Sequence, residues 1–130
     1  MRCSSGILPA LYRAVISEAV PEVTHVETDN VTSGITSLVS GGNANTAAGY
    51  TTSITGGQKG VATGSMATIT DGYENQARGP VASVTGGRHN VASGEAAAVT
   101  GGEHNRATGE ASSVFGGDYN HAAGYAEALP

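Results

Sequence analysis

The sequence predicts an all-β fold in which fifteen-residue coils stack into a parallel β-roll, or β-solenoid. The first observation is a fifteen-residue period without insertions, clearest in GPVASVTGGRHNVAS from Gly79 and GEAAAVTGGEHNRAT from Gly94. The second is that glycine recurs at fixed places in each unit, where it marks two corners. The third is that polar and apolar residues alternate between those corners, which is typical of short strands.

The repeat divides the chain into two parts. Residues 34–130 hold six full repeats and a partial seventh, which begins at Gly124, whereas residues 1–33 do not repeat. Leu8 to Val20 has helical apolar spacing, and we expect residues 1–33 to form a short helical or irregular cap over the open end of the stack. An oligomerisation or attachment segment is the alternative. Val23 to Thr28 alternates weakly and is expected to form a strand that enters the stack.

Alternation within the repeats predicts a narrow interior lined by columns of equivalent residues. One apolar column is β-branched throughout: Val39, Ile54, Ile69, Val84, Val99 and Val114. A facing column is invariant alanine: Ala47, Ala62, Ala77, Ala92, Ala107 and Ala122. An asparagine column is interrupted only by Gly60: Asn45, Asn75, Asn90, Asn105 and Asn120. These amides either hydrogen-bond from coil to coil or face solvent at a turn that suits asparagine, and both interpretations are structural.

Such coils bury little apolar surface, so we expect an oligomer to supply further stability. Two columns of small, mostly uncharged residues are assigned to the outer face of a strand and predicted to pack against other copies of the chain. One is Thr36, Thr51, Met66, Val81, Ala96, Ala111 and Ala126. The other is Leu38, Ser53, Thr68, Ser83, Ala98 and Ser113.

Composition excludes several function classes. The net charge is −5 and no basic stripe is present, which argues against nucleic acid as a partner. The single cysteine, Cys3, excludes an internal disulfide framework. No apolar run approaches the length of a membrane-spanning helix, so direct membrane insertion of this segment is not expected, and residues 1–20 do not resemble a secretion signal.

Catalysis is not predicted, because no nucleophile, base and orienting group converge in the repeats, and no cofactor is expected. His89 and His104 lie one period apart, so stacking would place them about 4.8 Å from each other. Glu103 and Asp118 lie beside them. These are turn positions at which polar residues are ordinarily solvated, and we predict no metal site there.

Sequence diversity is concentrated at the two positions that follow the Gly-Gly pair of the repeat. Exposed tyrosine, arginine and histidine are good contact residues, so these positions predict a ligand-binding ridge. The alternative is that turns tolerate any residue. The candidate binding residues are Tyr73, Glu74, Arg88, His89, Glu103, His104, Asp118 and Tyr119.

The repeat resembles the head repeats of the YadA-like trimeric autotransporter adhesins. The likeness is carried best by ASVTGGRHNVASG (Ala82 to Gly94) and AAVTGGEHNRATG (Ala97 to Gly109) and covers about two-thirds of the chain. It implies a left-handed β-roll, a homotrimer and a cell-surface role in adhesion to a host surface, a matrix protein or a glycan. The chain departs from the family in its fifteen-residue period, and we identify no neck motif, long coiled-coil stalk or membrane anchor barrel within these 130 residues.

Two alternatives accompany the adhesin interpretation. Similar glycine-rich repeats resemble those of phage and other virion fibres, which suits a receptor-binding role on a virion. The pairs Ser53/Thr55, Thr68/Thr70 and Ser83/Thr85 form a ladder that resembles the surface of ice-binding β-solenoids. Phe115 breaks the threonine column, and the neighbouring apolar residues favour burial of that face in an oligomer.

Overall fold

A computed structural model describes residues 29–130, which form a β-solenoid of stacked fifteen-residue coils without a helix. Each coil contributes two strands of two residues. The strands of the first sheet are β1 (Val31–Thr32), β3 (Thr46–Ala47), β5 (Val61–Ala62), β7 (Gln76–Ala77), β9 (Val91–Ala92), β11 (Arg106–Ala107) and β13 (His121–Ala122). Those of the second sheet are β2 (Leu38–Val39), β4 (Ser53–Ile54), β6 (Thr68–Ile69), β8 (Ser83–Val84), β10 (Ala98–Val99), β12 (Ser113–Val114) and β14 (Ala128–Leu129).

Both sheets are parallel, and every strand pairs with the strand one repeat away. Ala98 pairs with Ser83 and Ser113, and Ala107 pairs with Ala92 and Ala122. This register of one full repeat places identical columns of the sequence above one another. The predicted all-β solenoid of fifteen-residue coils is therefore confirmed.

The core lies between the two sheets and consists of the predicted β-branched and alanine columns together with Ala67, Ala82 and Ala97. The β-branched column and the alanine column are both fully buried, from Val39 to Val114 and from Ala47 to Ala122. The last member on the β-branched side, Leu129, is only partly buried and packs against this cluster. Because strand side chains alternate, the second residue of each strand from β1 to β13 points inward and the first points outward.

The first sheet begins at Val31, before the first complete repeat at Gly34. Asn30, which precedes β1, is fully buried and adds a first member to the asparagine column. The helix expected over Leu8 to Val20, the strand expected over Val23 to Thr28 and Cys3 all lie outside the described residues.

The glycine columns have different roles. A Cβ at Gly79 would clash with the carbonyl oxygen of Gly94, so the coils can stack closely there only through glycine. Gly87 has a φ of 86°, and its backbone conformation is the reason that glycine is required there. A Cβ at Gly86 would have nothing within 4 Å, and its φ is not positive, which explains why Asp71 can replace its equivalent.

The prediction that the column from Thr36 to Ala126 lies on a strand face is wrong. All seven residues lie at a corner with φ between 55° and 61°. Alternation alone gives no sign of this conformation, since threonine, methionine and valine disfavour positive φ. The column from Leu38 to Ser113 does lie on strands and points outward, as expected.

Candidate ligand-binding ridge

The two positions that follow the Gly-Gly pair, or Asp71-Gly72 in one coil, form a continuous row along one edge of the solenoid, which we call the turn ridge. The first position bridges its equivalents in parallel, as Tyr73 does with Arg88 and Arg88 does with Glu103. The second position has a φ of 53° to 59°. Its members are Asn43-Ala44, Gln58-Lys59, Tyr73-Glu74, Arg88-His89, Glu103-His104 and Asp118-Tyr119.

The positive φ of the second position changes the direction of its hydrogen bond. The N–H of Arg88 donates forward to the carbonyl of Gly102 (2.9 Å), whereas the N–H of His89 donates backward to the carbonyl of Tyr73 (2.9 Å). The ridge backbone is therefore fastened to the coils on both sides. Because these bonds involve the main chain alone, the side chains of the ridge can vary without weakening them.

The asparagine column lies directly behind the ridge and connects successive coils. The Nδ2 group of Asn90 donates to the carbonyls of Gly86 (3.0 Å) and Gly102 (2.9 Å), and its Oδ1 accepts from the N–H of Asn105 (2.9 Å). Asn90 is fully buried. Of the two interpretations of this column, coil-to-coil hydrogen bonding is correct, although the partners are main-chain groups and not neighbouring amides.

Oppositely charged side chains pair along the ridge. The Nζ of Lys59 lies 3.5 Å from Oε1 of Glu74 and 5.5 Å from the centroid of the Tyr73 ring. Arg88 pairs with Glu103 on the following coil. A hydrogen bond with Tyr73, assisted by Lys59, lowers the pKa of Glu74, while Tyr73 and then Glu74 raise the pKa of Lys59. Both shifts favour the charged forms of this pair near neutral pH.

Four rings form a continuous row over four successive coils. The ring of Tyr73 meets that of His89 edge to face, with centroids 5.7 Å apart. His89 stacks on His104 at 4.8 Å with planes 9° apart, and His104 stacks on Tyr119 at 4.6 Å with planes 5° apart. The separation expected for the two histidines is confirmed. Stacking restricts rotation of these rings, so the ridge presents their edges in fixed positions.

The two histidines differ in their carboxylate neighbours. The Nδ1 of His89 lies 3.4 Å from Oε2 of Glu74 on the preceding coil. The Nδ1 of His104 lies 3.9 Å from Oδ1 of Asp118 on the following coil, which is too far for a hydrogen bond. Among the described residues, His104 Nδ1 is one of the buried polar atoms without a hydrogen-bond partner.

The structure places all eight predicted binding residues in this single row. Tyr119 is the most exposed of them at 71%, whereas Tyr73 and His89 are half-buried by their neighbours. Lys59 belongs to the same row but is not among the predicted residues. Its spacing of one repeat from Glu74, with opposite charge, is the signal that could have identified it.

The outer face of the second sheet is a separate surface. In four successive coils it carries one exposed threonine each, in register, at Thr55, Thr70, Thr85 and Thr100. The outward residues of the strands beside them, from Ser53 to Ser113, are half-buried. Phe115 is 60% exposed and interrupts the threonine row, as the sequence indicated.

The corner opposite the ridge is apolar in its first coils. Ile35, Tyr50, Met66 and Val81 are each at least half exposed there. An open groove of about 280 Å³ is lined by Tyr50, Thr51, Ser65 and Met66. The equivalent position holds Glu95 and Glu110 in the next two coils and an exposed Tyr125 in the last, so charged residues interrupt the apolar character of this corner.

Comparison with protein-family models, with curated proteins and with solved structures finds no match. Within residues 29–130, no helix has the length and apolar character needed to cross a bilayer.

Proposed function

We propose that this chain is a structural and adhesive fibre module that binds ligands through the turn ridge. The observation that carries the proposal is a fixed array of exposed aromatic and charged side chains on a rigid backbone. Main-chain bonds in both directions and the buried asparagines hold the ridge, while its side chains differ from coil to coil. A surface that varies on an invariant scaffold is typical of recognition.

The chemistry of the ridge suits a polar macromolecular ligand. The row of rings from Tyr73 to Tyr119 lies beside the ion pair of Arg88 and Glu103. Aromatic and arginine side chains contribute most to binding energy at protein interfaces, and a charged ridge also suits a glycan. The proposed ligand is therefore a host-surface protein, a matrix protein or a glycan, and the module belongs to a cell-surface or virion fibre.

We further propose that three copies assemble through the outer face of the second sheet and the apolar corner. Half-buried Ser83 and Ala98 offer a small, uncharged surface, and Met66 and Val81 expose apolar side chains beside it. Burial of these groups between chains would add the apolar contact that a narrow core lacks. A trimer would show each ridge three times, which can raise avidity by about 10²-fold over a single site.

Binding and assembly need separate tests. Light scattering of the purified chain is expected to give three times 12.9 kDa. For binding, the double variant Arg88→Ala/His89→Ala is applied to arrays of glycans and of immobilised matrix proteins. The matched control, Arg106→Ala/His121→Ala, removes the same two residue types from the outer face of the first sheet, where both are exposed.

The ridge variant is expected to lose binding while the control retains it, and both should keep the circular dichroism of the parent. Equal binding by both variants would refute the ridge as the contact surface. A monomeric mass would refute the trimer without bearing on the ridge.

A second candidate function, ice binding, is favoured by the exposed threonine row. Thr55, Thr70, Thr85 and Thr100 are spaced by one strand separation, about 4.8 Å, on a regular sheet. Thermal hysteresis would support this function if Thr70→Lys/Thr85→Lys abolished it and the Arg88→Ala/His89→Ala variant retained it. A parent chain without thermal hysteresis would exclude it.

A further inference from the structure

Two carboxylates and one imidazole meet at the C-terminal part of the turn ridge. Glu103 and His104 occupy adjacent positions in one coil, and Asp118 lies in the next. One potential ligand atom from each lies within 4.8 Å of the others. The fifteen-residue register brings them together, since Glu103 and Asp118 form a parallel bridge.

A second observation distinguishes this cluster from an ordinary group of solvated side chains. His104 Nδ1 is shielded from solvent and has no hydrogen-bond partner, and its nearest carboxylate oxygen is 3.9 Å away. A polar atom that has lost water and gained no partner carries a free-energy cost. A cation held between this nitrogen and the carboxylates would remove that cost.

The imidazole of His104 is also held in a defined orientation. It is stacked between the rings of His89 and Tyr119, with centroids 4.8 Å and 4.6 Å away. Packing on both faces favours this plane of the ring, in which Nδ1 lies 3.9 Å from Oδ1 of Asp118. A ligand fixed in this way loses less conformational freedom when a metal binds.

We propose that Glu103, His104 and Asp118 form a binding site for a divalent transition metal of the zinc class. One imidazole nitrogen with two carboxylates suits Zn²⁺ and its neighbours in the first transition row, while Mg²⁺ and Ca²⁺ prefer oxygen ligands alone. Three protein ligands leave a fourth tetrahedral position for water. The two carboxylates lie on the partly exposed ridge and reach bonding distance through rotamer changes.

The neighbouring groups define the limits of the site. Glu103 already forms an ion pair with Arg88. Metal binding therefore requires either that one carboxylate oxygen binds the metal while the other stays paired with Arg88, or that the ion pair breaks. His89 is not assigned as a ligand, because its Nδ1 already lies 3.4 Å from Glu74. The site depends on its own geometry and would exist whether or not the ridge binds an adhesion ligand.

The test is isothermal titration of the full chain with zinc chloride, followed by cobalt substitution. Saturable binding of about one Zn²⁺ per chain is expected, and calcium chloride should give none. Co²⁺ in the same site should give the visible absorption of an ordered nitrogen and oxygen environment. Asp118→Asn and His104→Gln should each weaken zinc binding by at least about tenfold.

Matched controls remove the same groups elsewhere on the surface. Glu110→Gln removes one exposed carboxylate from the opposite corner, and His121→Gln removes one exposed imidazole from the first sheet. Both should bind zinc as the parent does. Absence of saturable binding, or equal weakening by ligand and control variants, would overturn the site. Circular dichroism of the apo variants would identify any loss that arises from unfolding, and if His104→Gln unfolds, Asp118→Asn alone decides the matter.

Discussion

Each coil has two corners that share one backbone conformation but differ in the side chains that they bury. The asparagine corner, Gly86 to Asn90, carries the turn ridge, and the small-residue corner, Gly79 to Ala82, lies opposite. Both contain a non-glycine residue with positive φ, His89 at 57° and Val81 at 60°. In both, that residue donates its N–H backward to the preceding coil, at 2.9 Å for His89 and 2.8 Å for Val81.

The difference lies in the buried residue that follows the positive-φ position. Asn90 connects neighbouring coils through its amide. At the small-residue corner the position is Ala82, and where it holds a hydroxyl, as in Ser112, the bond goes to Gly109 within the same coil (2.7 Å). Side-chain hydrogen bonds therefore connect successive coils at the asparagine corner, whereas only main-chain hydrogen bonds connect them at the small-residue corner. This explains why the more strongly held corner can carry the variable ridge.

Loss of an asparagine should produce the largest change in stability. Asn90→Ala removes three hydrogen bonds and leaves the carbonyls of Gly86 and Gly102 and the N–H of Asn105 without this partner. The free energy of unfolding should fall by about 4 kcal/mol, measured by urea denaturation. The control Ala82→Ser introduces the residue that the equivalent position already holds at Ser112, and it should change the free energy of unfolding by less than about 1 kcal/mol. Equal losses of stability in the two variants would contradict the claim that side-chain hydrogen bonds stabilise the asparagine corner more than the small-residue corner.

Close packing at the small-residue corner should give the next largest effect. Gly79→Ala places a Cβ against the backbone carbonyl of Gly94, which can yield only if the coils separate. We expect a loss of about 3 kcal/mol in the free energy of unfolding, measured by urea denaturation. Gly86→Ala, with open space at its Cβ, should be neutral or should stabilise by about 0.5 kcal/mol. A similar loss in both variants would show that the clash is not the cause.

The contrast between the corners also shows what the sequence could predict. The β-branched column of Val84 and the invariant alanine column of Ala92 determine the interior, because strand alternation and the fixed period leave one arrangement that buries them. The position of Val81 could not be predicted, because a β-branched residue with positive φ opposes its own preference and is maintained by intercoil hydrogen bonds. For the ridge, the period predicted the neighbours of His104, but neither the stacking of its ring nor its unpartnered Nδ1 has a sequence signal.

Filling the one gap in the asparagine column, at Gly60, should stabilise the fold. Gly60 does not have a positive φ, and its N–H already donates to Oδ1 of Asn45 (2.7 Å). Gly60→Asn should restore the missing amide bonds and raise the free energy of unfolding in urea by about 2 kcal/mol. A Cβ there would lie 3.1 Å from Oδ1 of Asn45, so a small shift of that amide is required. Gly60→Ala, which adds the Cβ without the amide, should gain less, and equal gains would attribute the effect to loss of glycine flexibility alone.

The smallest predicted change concerns the feature that both corners share. Val81 is half exposed and β-branched, so its φ of 60° brings strain that asparagine tolerates better. In the monomeric chain, at dilutions at which the proposed trimer has dissociated, Val81→Asn should therefore raise the free energy of unfolding by about 1 kcal/mol in urea denaturation. Val91→Asn makes the same change on an outward strand position of ordinary backbone conformation and should be destabilising. If both variants lose stability, the apolar contacts of Val81 stabilise the fold by more than the strain of its positive φ destabilises it.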